Sequence, residues 1–141
     1  MNKAERNRQT MKKFETCINT NDKALAEELI AAEAEFTTPV SDKPLYGGAG
    51  YLSVVDFMRK SFSDIRWELV DMAAEDDKVA VHWTCSGMHD GNFMGLAPTY
   101  KRFSFSVMNF YYFNDAGKII NDVAAEGLFR LMTTLGLIKS F

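Results

Sequence analysis

The stretch Val79-Ala80-Val81-His82-Trp83-Thr84-Cys85-Ser86-Gly87-Met88-His89-Asp90-Gly91-Asn92-Phe93-Met94-Gly95-Leu96-Ala97-Pro98-Thr99 sets the reading of the whole chain. Residues 79–86 alternate, with Val79, Val81 and Trp83 on one side and His82 on the other, which is the period of a half-buried β-strand. Residues 87–98, carrying glycines and a proline, break that pattern as a loop. Just before the strand, Glu75-Asp76-Asp77-Lys78 reads as a turn, and residues 67–74 as the strand it joins. After the loop, residues 102–113 are a long aromatic strand. Asn114-Asp115-Ala116-Gly117 is a hairpin turn, from which residues 118–125 return antiparallel.

Upstream of Ile65 the period is helical. Residues 3–18 place Met11, Phe14 and Ile18 on one face. Asn19-Thr20-Asn21-Asp22 stops that helix and caps a second over 22–31, with Leu25, Leu29 and Ile30 inward. A short strand over 34–38 follows, then a loop marked by Pro39 and Pro44 that ends in Gly47-Gly48-Ala49-Gly50. Residues 50–62 are helical again, striped by Tyr51, Val55, Met58 and Phe62. Leu128, Leu131, Met132 and Leu135 suggest a last short helix ending at Gly136. Helices gathered before a run of strands read as a single α+β domain over residues 1–141, with the helices on one face of the sheet. A curved sheet around helices leaves a hollow of the kind that binds small molecules.

The composition fits such a domain. The 141 residues are 47% hydrophobic and 25% charged, with a formal net charge of −3. That mild acidity argues against nucleic acid as a partner. No window is apolar for long enough to span a membrane, and the polar start is not a secretory signal. Cys17 and Cys85 read as buried thiols of a cytoplasmic protein. The basic run Lys3, Arg6, Arg8, Lys12, Lys13 reads as a solvated helix face. Eleven Phe, five Tyr, two Trp and eight Met suffice to line an apolar pocket as well as to fill a core.

Turn positions give the candidate site. With Asp76-Asp77 at the first hairpin tip, Asp71 lies opposite His82 and Val70 opposite Trp83. With Asp115-Ala116 at the second, Asn109 lies opposite Asp122, Met108 opposite Val123, and Phe105 opposite Glu126. Opposed side chains share a face and touch. Asp71 beside His82 is either an acid/base pair or a cross-strand ion pair on an exposed face. Asp122 with Asn109 is either an acid/base group with a raised pKa in an apolar hollow or an outward polar pair. Glu126 stands where strand passes into helix. His89 either orients its loop, lines the cavity mouth or is solvated. Two histidines without a close carboxylate cluster argue against a metal site. No phosphate-cradling glycine loop and no Gly-x-Ser-x-Gly nucleophile elbow is present.

The 79–99 stretch resembles the SnoaL-like polyketide cyclase and ester cyclase family, within the nuclear transport factor 2-like superfamily. The likeness lies in an alternating strand followed by Gly87-x-His89-x-Gly91-x-Phe93-x-Gly95-Leu96-x-Pro98-Thr99. Pro44-Leu45-Tyr46-Gly47, Phe62-Ser63-Asp64, Gly117-Lys118-Ile119-Ile120 and Leu135-Gly136-Leu137 are similar to further family motifs. The resemblance implies a cone in which a curved antiparallel sheet wraps three helices, and a homodimer through the outer sheet face. It also implies cofactor-free closure of a polyketide by an aspartate near the end of the last strand. Gapless counting from Gly117 places Val123 where the family has a Trp and Gly127 where it has that Asp. Glu126 and Asp122 are the nearby acids. His82 stands in place of the usual Arg, and Tyr100 in place of a Gly.

The reading is therefore a cofactor-free protein of this family acting on a small hydrophobic carbonyl compound, with proton transfer next to the carbonyl as in aldol cyclisation or isomerisation. Asp122 or Glu126 is the candidate base, and His82 with Asp71 the acid or oxyanion partner. Asn109 is the orienting donor. Trp83, Tyr51, Met58 and His89 are the candidate binding residues, with plain core packing the alternative for the first three. His82 and Trp83 are neighbours on one strand, so at most one of them lines the hollow. A non-catalytic module that binds a hydrophobic ligand or docks a partner is the alternative function.

Overall fold

The computed structural model describes residues 1–38, 41–125 and 128–139, apart from the Ala125 side chain. Two helices open the chain, α1 (Lys3–Thr20) and α2 (Lys23–Leu29). Asn2 Oδ1 caps α1 by accepting from the Glu5 N–H at 2.9 Å, and Asp22 caps α2 by accepting from the Leu25 N–H at 3.0 Å. Between them Asn21 takes the left-handed conformation that ends α1. Strands β1 (Ile30–Thr38) and β2 (Ser41–Tyr46) and helix α3 (Gly47–Ser61) follow. Strands β3 (Arg66–Glu75), β4 (Lys78–Met88), β5 (Arg102–Phe113) and β6 (Ile119–Ala125) precede a final short helix, α4 (Leu128–Thr134).

The six strands form one sheet in the order β2-β1-β6-β5-β4-β3. Four of its five pairings are antiparallel. The fifth, β1 with β6, is parallel and replaces the wholly antiparallel sheet expected. That pairing connects the N-terminal half of the chain to the C-terminal hairpin. Two further expectations are corrected nearby. Helix α2 stops at Leu29, and Ile30 already begins β1. Residues 41–46, read as loop because of Pro44, form strand β2. The strand lies at the sheet edge, where a proline's missing N–H interrupts no inner ladder.

Register decides which side chains meet. In the β3–β4 hairpin Asp71 faces His82 as expected, but Leu69 rather than Val70 faces Trp83, because a bulge intervenes between Leu69 and Asp71. In the β5–β6 hairpin the pairing is displaced by two residues, so that Asp122 faces Tyr111 and Asn109 faces Ala124. The turn is longer than a two-residue tip. Asn114 N–H donates to the Lys118 carbonyl, Gly117 takes φ +80°, and the register shifts again before Phe113. A shift of two preserves the face of every side chain. Asn109 and Asp122 thus remain on one side, as diagonal neighbours.

The inner face of the sheet carries Val79, Val81 and Trp83 of β4 with Tyr111 and Phe113 of β5, all buried. Helix α1 packs Met11, Phe14, Cys17 and Ile18 against them, and α3 adds Leu52 and Val55. A second apolar cluster lies toward the other end, where Phe62, Phe93 and Phe103 pack with Leu131 and Leu135. The 87–99 loop closes that end. Asp90 and Gly91 both donate N–H bonds to the Ser61 carbonyl at the C-terminus of α3, and the Ser61 hydroxyl donates to the Asn92 carbonyl at 2.7 Å.

Candidate active site

A cavity of about 290 Å³ lies between the two apolar clusters. Ile18, Phe36 and Val55 of the first line it, as do Met58, Cys85 and Phe105 of the second. Its polar groups are few: Thr37 and Thr38 of β1, Tyr51 of α3, Asn109 of β5 and Asp122 of β6. Apolar walls with a small number of placed polar groups are the usual make-up of a small-molecule site.

Asp122 is 8% exposed and Asn109 7%. The Asn109 amide donates from Nδ2 to Asp122 Oδ2 at 3.0 Å. Burial disfavours the charged carboxylate and pushes its pKa up to about 6, while the Asn109 bond pulls the other way without cancelling it. Asn109 Oδ1 is buried and has no hydrogen-bond partner among the described residues.

Beside Asp122, on the neighbouring strand, Tyr111 is hydrogen-bonded to a second buried aromatic side chain. The Trp83 indole N–H donates to the Tyr111 hydroxyl at 3.1 Å. Tyr51 and Tyr111 both stand edge-on to Phe14. Burial, chiefly, raises both phenols above their ordinary range, so both are neutral near pH 7. The ring of Tyr51 stands edge-on to Phe14 and Phe36, at centroid distances of 5.0 and 4.9 Å. The Cys85 thiol on the cavity wall is pushed up to about 12 by burial, which removes it as a nucleophile near neutrality.

The sequence-derived candidates among the described residues separate into four groups. Asp122, Asn109, Tyr51 and Met58 converge on the cavity. Trp83 points inward but is core: it packs 6.2 Å from Phe14, donates to Tyr111 and does not line the cavity. His82 and Asp71 are cross-strand partners on the opposite, outer face, where His82 Nε2 lies 3.2 Å from Ser106 Oγ and Asp71 accepts from the Met72 N–H. The structure therefore does not bring them to Asp122: strand alternation sends Trp83 in and His82 out. His89 is fully buried away from the cavity. Its Nδ1 accepts from the Thr99 N–H at 3.1 Å and its ring packs on Phe62, so it holds its own loop. Glu126 lies outside the described residues, as does Gly127.

Sequence reasoning missed Tyr111 and the β1 contribution of Phe36, Thr37 and Thr38. Tyr111 was findable, since it stands two residues from Asn109 and so shares its face. The β1 residues were not, because their place depends on the parallel pairing with β6. Among the described residues no group of three or more His, Cys, Asp and Glu side chains is arranged to hold a metal ion. No described helix is long and apolar enough to cross a membrane.

The layout is that of a nuclear transport factor 2-like cone: a curved sheet wrapped around helices, with a polar group at the wall of an apolar hollow. The sequence profile of the SnoaL-like polyketide cyclases matches residues 8–135, and the chain belongs to that family. Solved structures share the fold. IdmH from Streptomyces antibioticus, for which a polyketide cyclase role is suggested, superposes with a TM-score of 0.81 at 25% identity, covering 92% of this chain and 98% of its own. AclR from Streptomyces galilaeus, for which a hydroxylase role is suggested, has a TM-score of 0.81 at 22% identity, covering 98% and 85%. TsrD from Streptomyces laurentii has a TM-score of 0.80 at 22% identity, covering 93% and 95%. No curated protein sequence matches the chain.

Proposed function

We propose that this protein is an acid/base enzyme, working without a cofactor, that moves a proton next to the carbonyl of a small hydrophobic compound, with Asp122 as the base. One observation carries the reading: a carboxyl group buried in an apolar cavity and oriented by Asn109, where burial pushes its pKa up to about 6. A base poised near the working pH combines availability of the carboxylate with enough basicity to take a proton. The C–H bond α to the carbonyl breaks and its proton passes to the Asp122 carboxylate. The electron pair enters the new C–C double bond, and the carbonyl π pair moves onto oxygen. The enolate then closes on a second carbonyl or is reprotonated elsewhere, giving aldol cyclisation or isomerisation.

The test is solvent deuterium uptake at the α-carbon of a panel of aromatic β-keto esters, followed by NMR. Wild type exchanges the α-hydrogen, and Asp122→Asn lowers the rate about a hundredfold or more. Equal exchange by the two proteins, or none above buffer in either, contradicts the reading.

One feature favours a second reading. Gapless counting from Gly117 puts Gly127 where the resemblance implies the family's aspartate, which suits a pocket that binds a hydrophobic carbonyl compound without turning it over. Binding of the esters with no exchange supports that alternative.

The outer sheet face supports a homodimer. Met108, Phe110 and Val123 stand about half exposed or more on one apolar surface, which carries His82 and Asp71. A contiguous apolar patch of that kind marks an interaction site.

A further inference from the structure

We propose that the cavity is a binding site for a hydrophobic amine, held as its ammonium form between the free oxygen of Asp122 and the aromatic side chains of the wall. The site is the one in which Asp122 is read as the base, but the inference goes beyond that reading. It requires only a carboxylate in an aromatic cavity, and it names a second class of ligand.

The cavity holds an acid and no base to pair it. Asp122 is the only Asp or Glu among the described residues that line it, and no Lys, Arg or His is among them. The two ion pairs among the described residues join Lys3 to Asp115 and Arg102 to Asp64, and neither involves Asp122. Asn109 Nδ2 donates to one carboxylate oxygen, Oδ2, while the other, Oδ1, accepts no hydrogen bond from a described residue. Tyr51 and Tyr111 are the titratable groups beside the carboxylate, and the Cys85 thiol is on the same wall. Burial keeps all three neutral near pH 7, so none supplies a counter-charge.

Phe36, Tyr51, Trp67 and Phe105 line the same cavity. An aromatic ring attracts a cation through the negative charge of its face, and cages of such rings are a general means of taking ammonium groups out of water. The energetics favour a cation over a neutral compound. Burial largely strips the carboxylate of water in the free protein and pushes its pKa up to about 6. Above that pH its charge stands in the cavity with the Asn109 amide as its one hydrogen-bond donor among the described residues. On binding, the ligand's ammonium group is what remains to be desolvated. The rings offset part of that loss, and the attraction acts across apolar surroundings that screen it little. An anionic ligand meets the opposite, because a second carboxylate beside Asp122 is repelled. At about 290 Å³ the cavity lies at the lower end of the range for small-molecule sites, so a compound of two fused rings is a fitting probe.

The experiment measures, by calorimetry on the full-length protein, the binding of three probes of similar shape: 2-naphthylmethylamine, a cation at pH 8, the neutral 2-naphthylmethanol and the anion 2-naphthoate. At pH 8 the amine is expected to bind about tenfold or more tighter than the alcohol, and the naphthoate weakest. At pH 5 the carboxyl of the free protein is protonated, and the preference for the amine over the alcohol falls severalfold. Amine binding also lowers the Asp122 midpoint in a carboxyl-carbon NMR titration, and the alcohol does not. Asp122→Asn removes the preference, the amine and the alcohol then binding alike. Should that variant fail to fold, the pH dependence and the NMR midpoint of the wild type read the same contact. An alcohol or naphthoate that binds as tightly as the amine at pH 8, an equal preference for the amine in Asp122→Asn, or no binding by any of the three overturns the proposal. The deuterium-exchange test of Asp122 uses neutral esters, so the cation site and the base stand or fall separately.

Discussion

At Asp122, burial holds the carboxyl proton up to about pH 6 in the folded chain, whereas an unfolded aspartate gives it up near 4. Between those values the native state binds more protons than the unfolded one, so stability falls as pH rises through that window. Above it the loss is of the order of 3 kcal/mol. Asp122→Asn keeps an acceptor for the Asn109 amide and removes the buried charge. The variant is expected to match wild type near pH 4 and to exceed it in stability at pH 8, by about 1–3 kcal/mol; urea unfolding at the two pH values checks this. The same group was legible in the sequence, although its strand register was not. The expected pairing with Asn109 was displaced by two residues, and an even displacement leaves both on one face. For His82 the reverse holds. Its partner Asp71 was read correctly, but its side of the sheet was left open. The apolar series Val79, Val81, Trp83 marks the inner face, which puts His82 and Asp71 outside.

Among the elements, the 87–99 loop carries the clearest likeness to the family and does the least chemistry. Its glycines and His89 clamp the end of α3 to the start of β5. A Cβ at Gly91 would fall 2.1 Å from the Lys60 carbonyl oxygen, which is backbone and cannot swing aside. Gly91→Ala is therefore expected to lower the urea midpoint by an amount equivalent to roughly 2–4 kcal/mol with little change in slope; an unaltered midpoint would show that the clamp yields. Helices α1 and α3 and the four strands from β3 to β6 were legible because their apolar periods are long and regular. Strand β2 was not, since Pro44 signals a loop wherever the strand's position at an edge is unknown. The Trp83–Tyr111 hydrogen bond was invisible for a related reason: the two residues are not opposite each other in the β4–β5 register, and only packing on the inner face brings them together.

For the whole molecule, the division of the core into two clusters creates the cavity, and the apolar outer face gives the sheet a second surface to cover. If two copies pack through that face, wild type sediments as a dimer. Phe110→Glu, which sets a charge beside Met108 and Val123, is then expected to yield monomers that keep the fold. A monomeric wild type at tens of micromolar contradicts the homodimer. The central claim, however, is that the cavity holds an acid/base carboxyl, and it is tested most directly by carboxyl-carbon NMR titration of Asp122 in the free protein, with Asp122→Asn to assign the resonance. The account predicts a midpoint at about 6. A midpoint near 4, that of a solvated aspartate, would contradict it.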